Sequence, residues 1–472
     1  MSDSSGAVEP KMGEVSKKGI WGWMLFDWAA QPFHTLILTF IFAPYFTAHV
    51  AADAVTGQAQ WGYAAAIAGI IIACLSPVLG SIADATGPRK PWIGMFTLLA
   101  IIGTTALWWA YPNTVEGTSV ILVLTAFVIA MMGFEFAAVF NNAMMPDLVP
   151  REKLGRLSGN AWALGYVAGL LTLIIVLATM ATNDEGKTLL GSDPLFGIDS
   201  SLKEGERASG PLSAIWLLIF VIPLFLYTPD AVKPTKVSGA VSKGLRDLMS
   251  TIRRLPQNTS LFAYLGSSMI YRDALNGLYT FGGIYAVGVL QWSIVQVGIF
   301  GILANLTGVA GAYFGGRADA KLGPKFVVTT SVIVLVIASL TVITTDPTHA
   351  FFIPVGEGSG IPDIVFYICG GFIGAAGGSL QAASRTLMAD QAEPGRMTEA
   401  FGLYALSGRA TAFLAPFLIA LFTDISGSQR IGVAPIIVLF LLALFLLPLV
   451  KQRIGGSHSG EGGDSSDSGA NA

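Results

Sequence analysis

The chain of 472 residues is 53% hydrophobic and only 12% charged, and its formal net charge is −3. Soluble domains carry roughly twice that share of charged residues, about 25%. The composition therefore excludes an ordinary soluble protein, and the small net charge gives no reason to expect a nucleic-acid partner.

The chain begins with a polar segment, 1–19, which we predict to be a cytoplasmic tail. It lacks the apolar core of a secretory signal peptide, so we expect the first apolar segment to be retained. Cys74 and Cys369 both fall within apolar runs. This cysteine pattern predicts neither a disulfide framework nor a thiolate metal site, and we expect no metal and no cofactor.

Twelve apolar segments follow, and each can cross a bilayer as a helix, which takes about 20 residues. Backbone groups in lipid must satisfy their own hydrogen bonds, and long continuous runs do not suit a β-barrel. We therefore predict an all-α membrane protein. The predicted spans, numbered one to twelve, are 20–47, 59–83, 91–111, 117–145, 156–181, 211–229, 259–287, 293–316, 325–345, 361–388, 398–424 and 431–451.

Lysine and arginine are distributed unequally between the two sets of loops. The loops and tails on the side of the N-terminus carry 20 of them, and the opposite loops carry 4. Positive charge accumulates on the cytoplasmic side of membrane proteins. The distribution predicts a multi-pass protein of a bacterial inner membrane, with both termini in the cytoplasm.

The longest cytoplasmic connection, 230–258, separates two groups of six spans. Its apolar residues recur at helical spacing among basic ones, which predicts an amphipathic helix on the anionic membrane surface. These residues are Leu245, Leu248, Met249, Ile252 and Leu255. We predict six-helix bundles at 20–229 and 259–453, and a disordered tail at 454–472, which is rich in Gly and Ser.

The two halves resemble each other at corresponding places. Asp84 after span two and Asp319 after span eight are 235 residues apart, and Asp27 and Asp273 in spans one and seven are 246 apart. Asp147 after span four has a similar mate in Asp390. Such offsets predict a duplicated six-helix unit, an arrangement typical of transporters with a substrate site between the repeats.

The segment GSIADATGPRK after span two resembles the signature loop of the major facilitator superfamily. The loop departs from that pattern at Ala85 and Pro88. Its matching residues are Gly80, Asp84, Gly87, Arg89 and Lys90. The resemblance implies a gating role for the loop, with Asp319 as the mate of Asp84 in the second half; the alternative interpretation is a static anchor.

Longer stretches resemble one family within that superfamily, the "unknown major facilitator" family that includes fungal vacuolar effluxers linked to autophagy and amino-acid release. The resemblance covers nearly the whole membrane region and implies the major facilitator fold. The stretches are WMLFDWAAQPFHTLILTFIFAPYF (23–46), FNNAMMPDLVP (140–150), GRLSGNAWALGYVAG (155–169), YRDALNGLYTFGGIYA (271–286) and QAASRTLMADQAEP (381–394).

Ionisable and polar residues inside spans are costly in lipid, so each is a candidate for solute or ion binding. In span one, Asp27, Gln31 and His34 share a helix face. Packing hydrogen bonds are the alternative for Asp27, and snorkelling to the interface is the alternative for Arg385. The remaining candidates are Glu135 and Asn142 in span four, Arg272, Asp273 and Asn276 in span seven, Gln381 and Arg385 in span ten, and Arg409 in span eleven.

These features favour a secondary active transporter that moves a small solute by alternating access with proton coupling. The three acidic and three basic intramembrane residues suit an amino acid or another organic anion or zwitterion. We expect the bilayer, a small-molecule substrate and protons as partners, and a monomer. A cation-coupled sugar symporter, with Trp28 and Tyr279 for stacking, and a solute sensor that does not transport are the alternatives. The sequence has no nucleophile–base arrangement, so we do not predict an enzyme.

Overall fold

The computed structural model describes residues 15–86, 88–149, 151–183, 185–230, 253, 255–356, 358–391 and 397–451. The predicted linker helix around Leu245–Leu255, residue Gly87 and the segments beyond 15 and 451 lie outside the described residues. So does the side chain of Asp84, whose backbone lies in a described helix.

In the described part of the chain, eleven helices are long and apolar enough to cross a membrane. The helix at predicted span seven, Thr259–Gly288, has 30 residues but is not one of these eleven. Its sequence includes Arg272, Asp273 and Asn276, which lower its mean hydropathy. The protein is thus a multi-pass membrane protein, and the number twelve stays a prediction. We keep the span numbers for the corresponding helices.

The helices extend two to five residues beyond several predicted limits, because helical backbone continues where hydropathy has already fallen. In the first half they are Lys17–Pro32 with Phe33–Phe40, Phe42–Tyr45 and Phe46–Val50 (span one), Ala54–Thr86, Lys90–Ala106 with Leu107–Trp109, Val120–Leu148, Arg151–Thr179, and Ser209–Tyr227 preceded by Glu204–Arg207.

The second half has the same number of helical regions. They are Thr259–Gly288, Ile294–Leu322, Pro324–Ile343, Ile361–Gln391, Met397–Ala410 with Leu414–Ser426 (span eleven), and Gln429–Val433 with Pro435–Leu446 and Leu447–Leu449. Short 3-10 turns lie at Leu195–Gly197 and Leu255–Gln257, and the only described strands are His349–Ala350 and Ile353–Pro354, paired antiparallel.

Two spans are not the single regular helices that the hydropathy pattern predicts. In span one, a π-helical segment begins directly after Pro32, whose ring removes one backbone donor. In span eleven, the α-helix is interrupted at 411–413, where Ala412 N–H bonds Arg409 O and Leu414 N–H bonds Thr411 O. Each of these bonds spans three residues, so the interruption is a tightened turn rather than an open loop.

Each half forms its own bundle, and the halves meet along a few helices. Spans three and four pack closely in the first half, as do spans one and six; spans eight and ten, and seven and twelve, pack in the second. Between halves, span two packs against span eleven, and span five against span eight. We call the end of the bundles that carries loops 51–53 and 344–360 the outer end.

At the outer end of the second half, Arg430 at the start of span twelve binds the end of span nine and the loop after it. Its Nη1 donates to Asp346 Oδ2 at 2.7 Å, and its Nε and Nη2 donate to the Ile343 carbonyl at 3.1 and 2.8 Å. Burial acts to raise the pKa of the Asp346 carboxyl. Hydrogen bonds from Thr348 and His349 and the charge of Arg430 outweigh that effect and lower the pKa to about 2.

Candidate functional site

The signature loop is bound to the ends of three other spans. The Asp230 carboxylate accepts the backbone N–H groups of Arg89 and Lys90, each at 2.9 Å, and so caps the start of span three. Lys90 Nζ donates to the Phe225 carbonyl at 2.9 Å, and Arg89 forms an ion pair with Asp147 at the end of span four. The loop therefore connects spans three, four and six.

The second half repeats part of this arrangement. Lys325 begins span nine as Lys90 begins span three, and its Nζ donates to the Val450 carbonyl at 2.7 Å after span twelve. Asp319 contributes its backbone carbonyl to the Gly323 N–H at 2.8 Å, and its side chain has no hydrogen bond or ion pair within the described residues. The two lysines thus make equivalent bonds in the two halves.

The polar face of span one points towards spans four and five. Gln31 lies against Gly165 of span five, where a Cβ would be 3.4 Å from its Oε1. The Asp27 carboxylate makes no hydrogen bond or ion pair with any described residue. His34 is the second residue of the π-helical segment and is close enough to Glu135 of span four for electrostatic interaction. The predicted shared face is therefore partly lined by span four.

Arg272 and Asp273 of span seven both bind span eleven. Arg272 Nη1 donates to the Tyr404 carbonyl at 3.0 Å, and its guanidinium lies 4.3 Å from the Tyr404 ring centroid and flat against Gly408. Asp273 Oδ2 accepts the Ala415 N–H at 2.7 Å, while its buried Oδ1 has no partner. Both residues have protein partners, and neither pairs with an opposite charge among the described residues.

A polar and aromatic cluster spans the two halves. Gln381 of span ten lies within hydrogen-bonding reach of Tyr166 in span five and Tyr279 in span seven. The Arg385 guanidinium is 5.9 Å from the Trp162 ring centroid, also in span five. Trp162 is 46% exposed and Tyr166 is 38% exposed, although both face the second half. These aromatic rings therefore border the space between the bundles.

The other candidates differ in their surroundings. Asn142 and Asn276 are exposed. Arg409 is half-buried near the end of the inner helix of span eleven, and its side chain has no hydrogen bond, ion pair or ring contact within the described residues. Among the three intramembrane arginines, Arg409 alone lacks a protein partner in the described part of the chain.

The two halves are joined at the outer end by a buried polar contact that sequence analysis missed. Gln58 Nε2 of span two donates to Thr423 Oγ1 at 2.8 Å and to the Gln429 carbonyl at 3.2 Å. Gln429 Nε2 returns a bond to the Ala54 carbonyl at 2.9 Å. Gln58 and Thr423 are fully buried. We call this contact the outer clasp.

Below the clasp, spans two and eleven approach to backbone contact. A Cβ at Gly62 would lie 2.8 Å from the Ala420 Cβ, and a Cβ at Gly69 would lie 3.0 Å from Phe413 Cα. Small residues allow helices to approach this closely in membranes. We call this antiparallel contact, from the outer clasp to Phe413, the seam.

Sequence reasoning found the ionisable residues and missed most of their partners. Gln58 and Asp230 were not selected, because each lies one residue outside a predicted span, 59–83 and 211–229. Trp162 was not selected, because an aromatic ring carries no special cost in lipid. One sequence feature does indicate the seam: Gly62 and Gly69 are separated by one heptad. Trp28, considered for sugar stacking, instead stacks on Trp216 at 5.7 Å.

Comparisons with known sequences point to one family. A profile described as "Vacuole effluxer Atg22 like" matches residues 50–458. The uncharacterized MFS-type transporter YxiO of Bacillus subtilis is 25% identical over 437 residues, covering 91% of this chain and 94% of YxiO. Autophagy-related protein 22 of Cryptococcus neoformans is 24% identical over 310 residues, covering 62% of this chain. The chain spans about half (49%) of that fungal relative's length.

Solved structures show the same fold at low identity. The nucleoside transporter NupG matches with a TM-score of 0.60 at 12% identity, over 92% of this chain and 98% of that chain. A D-xylose–proton symporter matches with a TM-score of 0.62 at 14% identity, over 92% of this chain and 97% of that one. The chain therefore shares its overall fold with these solved transporters.

Proposed function

The chain belongs to the Atg22-like vacuole effluxer family, and from that premise we propose that it is a secondary active transporter for a small solute. We propose that it works by alternating access in a bacterial inner membrane, with both termini in the cytoplasm. Its substrate is an amino acid or another organic anion or zwitterion, and its transport is coupled to protons. In this proposal the protein moves the solute unchanged and is not an enzyme.

The observation that carries the proposal is the unequal contact between the two halves. At the outer end they are joined by the buried bonds of Gln58 with Thr423 and Gln429. Deeper in the bundle, Trp162 and Tyr166 face the second half and remain partly exposed. A transporter that rocks about a central site needs one closed end and a polar space beside it.

Two unpartnered charges support a zwitterionic or anionic solute. Arg409 and Asp27 lie on different halves, and neither has an ion-pair partner among the described residues. A guanidinium binds a carboxylate through two parallel hydrogen bonds, and a carboxylate binds an ammonium group. A charge inside a membrane protein that has no internal partner is a candidate for an external one.

Proton coupling is assigned to Asp27 or Glu135. The Asp27 carboxylate has no hydrogen bond or ion pair with a described residue that would fix its charge state, and Glu135 lies near His34. A carboxyl whose surroundings change between two conformations takes up a proton in one and releases it in the other. Both residues lie in the first half, so their environment changes when the second half moves.

A second candidate is a cation-coupled sugar symporter. Trp162 and Tyr166 offer aromatic faces beside Gln381, which is the combination that suits a sugar ring and its hydroxyl groups. Arg409 has no obvious role in binding a neutral sugar, so we place this candidate second. A solute sensor would bind ligands without flux.

The transport assay uses purified full-length protein in proteoliposomes. We expect uptake of at least one amino acid or organic acid when a pH gradient is imposed, and no uptake into protein-free liposomes. Uptake of sugars alone would favour the symporter. Ligand-dependent stabilisation against heat without any flux would favour a sensor.

Alternating access is tested by linking the seam. In a Cys74→Ser, Cys369→Ser background, the pair Gly62→Cys and Ala420→Cys joins the two halves, because the Cβ positions are close enough for a disulfide after a small shift. We expect oxidation to stop transport and reduction to restore it. The control pair is Gly277→Cys with Ala415→Cys, which lies within the second half, where the Gly277 Cβ would be 2.9 Å from the Ala415 Cβ. Full transport by the oxidised seam pair would contradict alternating access.

A further inference from the structure

The seam between spans two and eleven has a regular register that extends beyond its described contacts. On span two the residues facing span eleven are Gln58, Gly62 and Gly69, and their partners are Thr423, Ala420 and Phe413. Each step of about seven residues inwards along span two corresponds to seven residues back along span eleven. This is the register of two antiparallel helices that follow each other along one face.

The next step of this register places Ser76 of span two opposite Leu406 of span eleven and Ile72 close to the level of Arg409. Ser76 and Arg409 therefore lie about one helical turn apart along the seam, a distance that an arginine side chain can cover. Ser76 continues the heptad series of Gly62 and Gly69, and Arg409 precedes Phe413 by four residues. The inner helix of span eleven, Met397–Ala410, also packs against span two. The tightened turn at 411–413 keeps the two parts of span eleven in line.

Neither polar group at this inner end of the seam has a partner among the described residues. Ser76 is 7% exposed, and its hydroxyl makes no hydrogen bond. Arg409 has no hydrogen bond, ion pair or ring contact within the described residues. Leaving a buried hydroxyl or a guanidinium unsatisfied is unfavourable. At the outer end of the same seam, by contrast, the Gln58 Nε2 group is bonded across it.

We propose that a carboxylate of the transported solute binds at the inner end of the seam, between the Ser76 hydroxyl of the first half and the Arg409 guanidinium of the second. This inference rests on the proposed transport function and names the position and chemistry of its anion site. One guanidinium balances one carboxylate charge and binds both oxygens, and the remaining lone pairs accept the serine hydroxyl.

The position also gives the solute a part in the conformational change. A carboxylate bound by both halves adds a contact across the seam, and it does so at the end opposite the outer clasp. Binding therefore favours the conformation in which spans two and eleven are together, because a ligand shifts an equilibrium towards the state that it binds more tightly. Without the carboxylate, the described contacts that hold the seam are the outer clasp, the glycine contacts and the Tyr63 contacts with Phe417 and Asp424.

The test measures the chemical reactivity of a thiol at this position and does not depend on transport. Ser76→Cys is made in the Cys74→Ser, Cys369→Ser background, and its modification is followed with an anionic and a cationic methanethiosulfonate of similar size. Ser339→Cys in span nine is the matched control, since Ser339 is also a buried serine without a hydrogen bond. We expect the anionic reagent to react faster at position 76, by a factor on the order of ten.

Arg409→Gln should remove the preference for the anionic reagent, and Arg409→Lys should keep it. Neither substitution should change the reaction rates at the control position 339. A panel of amino acids, 2-oxo acids and dicarboxylates is then tested for protection of the thiol at position 76 against modification, and each compound is compared with its amide. We expect at least one carboxylate to slow the modification while its amide does not. No charge preference, or no reaction with either reagent, would overturn the juxtaposition. A panel without any protecting carboxylate would overturn the ligand assignment. Protection without flux in proteoliposomes would leave the site standing and reject the transport proposal.

Discussion

Arg272 and Asp273 are neighbours in span seven, yet they bind opposite sides of the interruption in span eleven. Arg272 donates to the Tyr404 carbonyl in the middle of the inner helix, and Asp273 accepts the Ala415 N–H in the first turn of the outer helix. The Asp273 carboxylate lies at the N-terminal end of the outer helix, where the helix dipole favours a negative charge. The pair thereby holds both parts of span eleven against span seven.

Asp273→Ala should destabilise the protein, because the first turn of the outer helix loses its acceptor. We expect a loss of about 1 kcal/mol, the usual effect of removing a helix cap, and a lower apparent melting temperature in detergent. Asp273→Asn keeps an acceptor oxygen and should recover most of the difference. Equal melting temperatures for the alanine variant and the parent would show that the bond to Ala415 contributes nothing.

Arg409→Lys should weaken binding of the eventual solute about tenfold or more, because lysine cannot make two parallel bonds to a carboxylate. Its stability should stay close to that of the parent, since Arg409 has no partner to lose among the described residues. Arg272→Lys should mainly lower stability, since the bond and stacking with Tyr404 are lost. Isothermal titration of the solute into both well-folded variants shows which of the two arginines binds it. Parental affinity in both would remove these arginines from the anion site.

Asp84→Asn and Asp147→Asn should both impair transport while expression and membrane insertion stay largely intact. Asp84 belongs to the signature loop, and Asp147 is the ion-pair partner of Arg89 in that loop. A gating bond that forms in one conformation changes rates without being needed for folding. Initial transport rates in proteoliposomes are the measurement, with Lys187→Gln in an exposed ion pair as control. Normal rates in both variants would support a static anchor.

Asp27→Asn should uncouple solute movement from protons if Asp27 is the carrier, because an amide cannot release a proton. We expect downhill exchange of solute to persist while uptake driven by a pH gradient is lost. Glu135→Gln is tested in parallel, since Glu135 lies near His34 and is the other candidate. Gradient-driven uptake that survives in both variants would assign coupling elsewhere, and flux insensitive to any pH gradient would indicate a facilitator or a sodium-coupled carrier.

Asp346→Asn should lower the apparent melting temperature near neutral pH by about 3 °C, for a loss on the order of 1 kcal/mol. The folded-state pKa of Asp346, about 2, is lower than the ordinary value of 3.8 for an aspartate. A depressed pKa stabilises the folded state above the unfolded pKa, and this contribution is lost as pH falls through the folded value. The difference between parent and variant should therefore shrink between pH 5 and pH 2. A difference independent of pH would contradict a role for the ionised carboxylate.

The sequence by itself determined the membrane class, the positions of the helices and the signature loop. Hydropathy is a local property, and lipid forces each apolar run to satisfy its own backbone, so the helices could be located without knowing their neighbours. The spacing of Asp27, Gln31 and His34 likewise determined a shared face. The family resemblance rested on motifs that are contiguous in the chain.

Only the tertiary structure decided which polar groups meet. Gln58 and Thr423 are 365 residues apart, and nothing in either neighbourhood predicts their bond. The same is true of Arg89 with Asp147, and of Asp273 with the interruption in span eleven, where neither glycine nor proline marks residues 411–413. Such contacts depend on how helices are rotated and tilted against one another. Packing across the whole bundle sets those angles, and no single span carries that information.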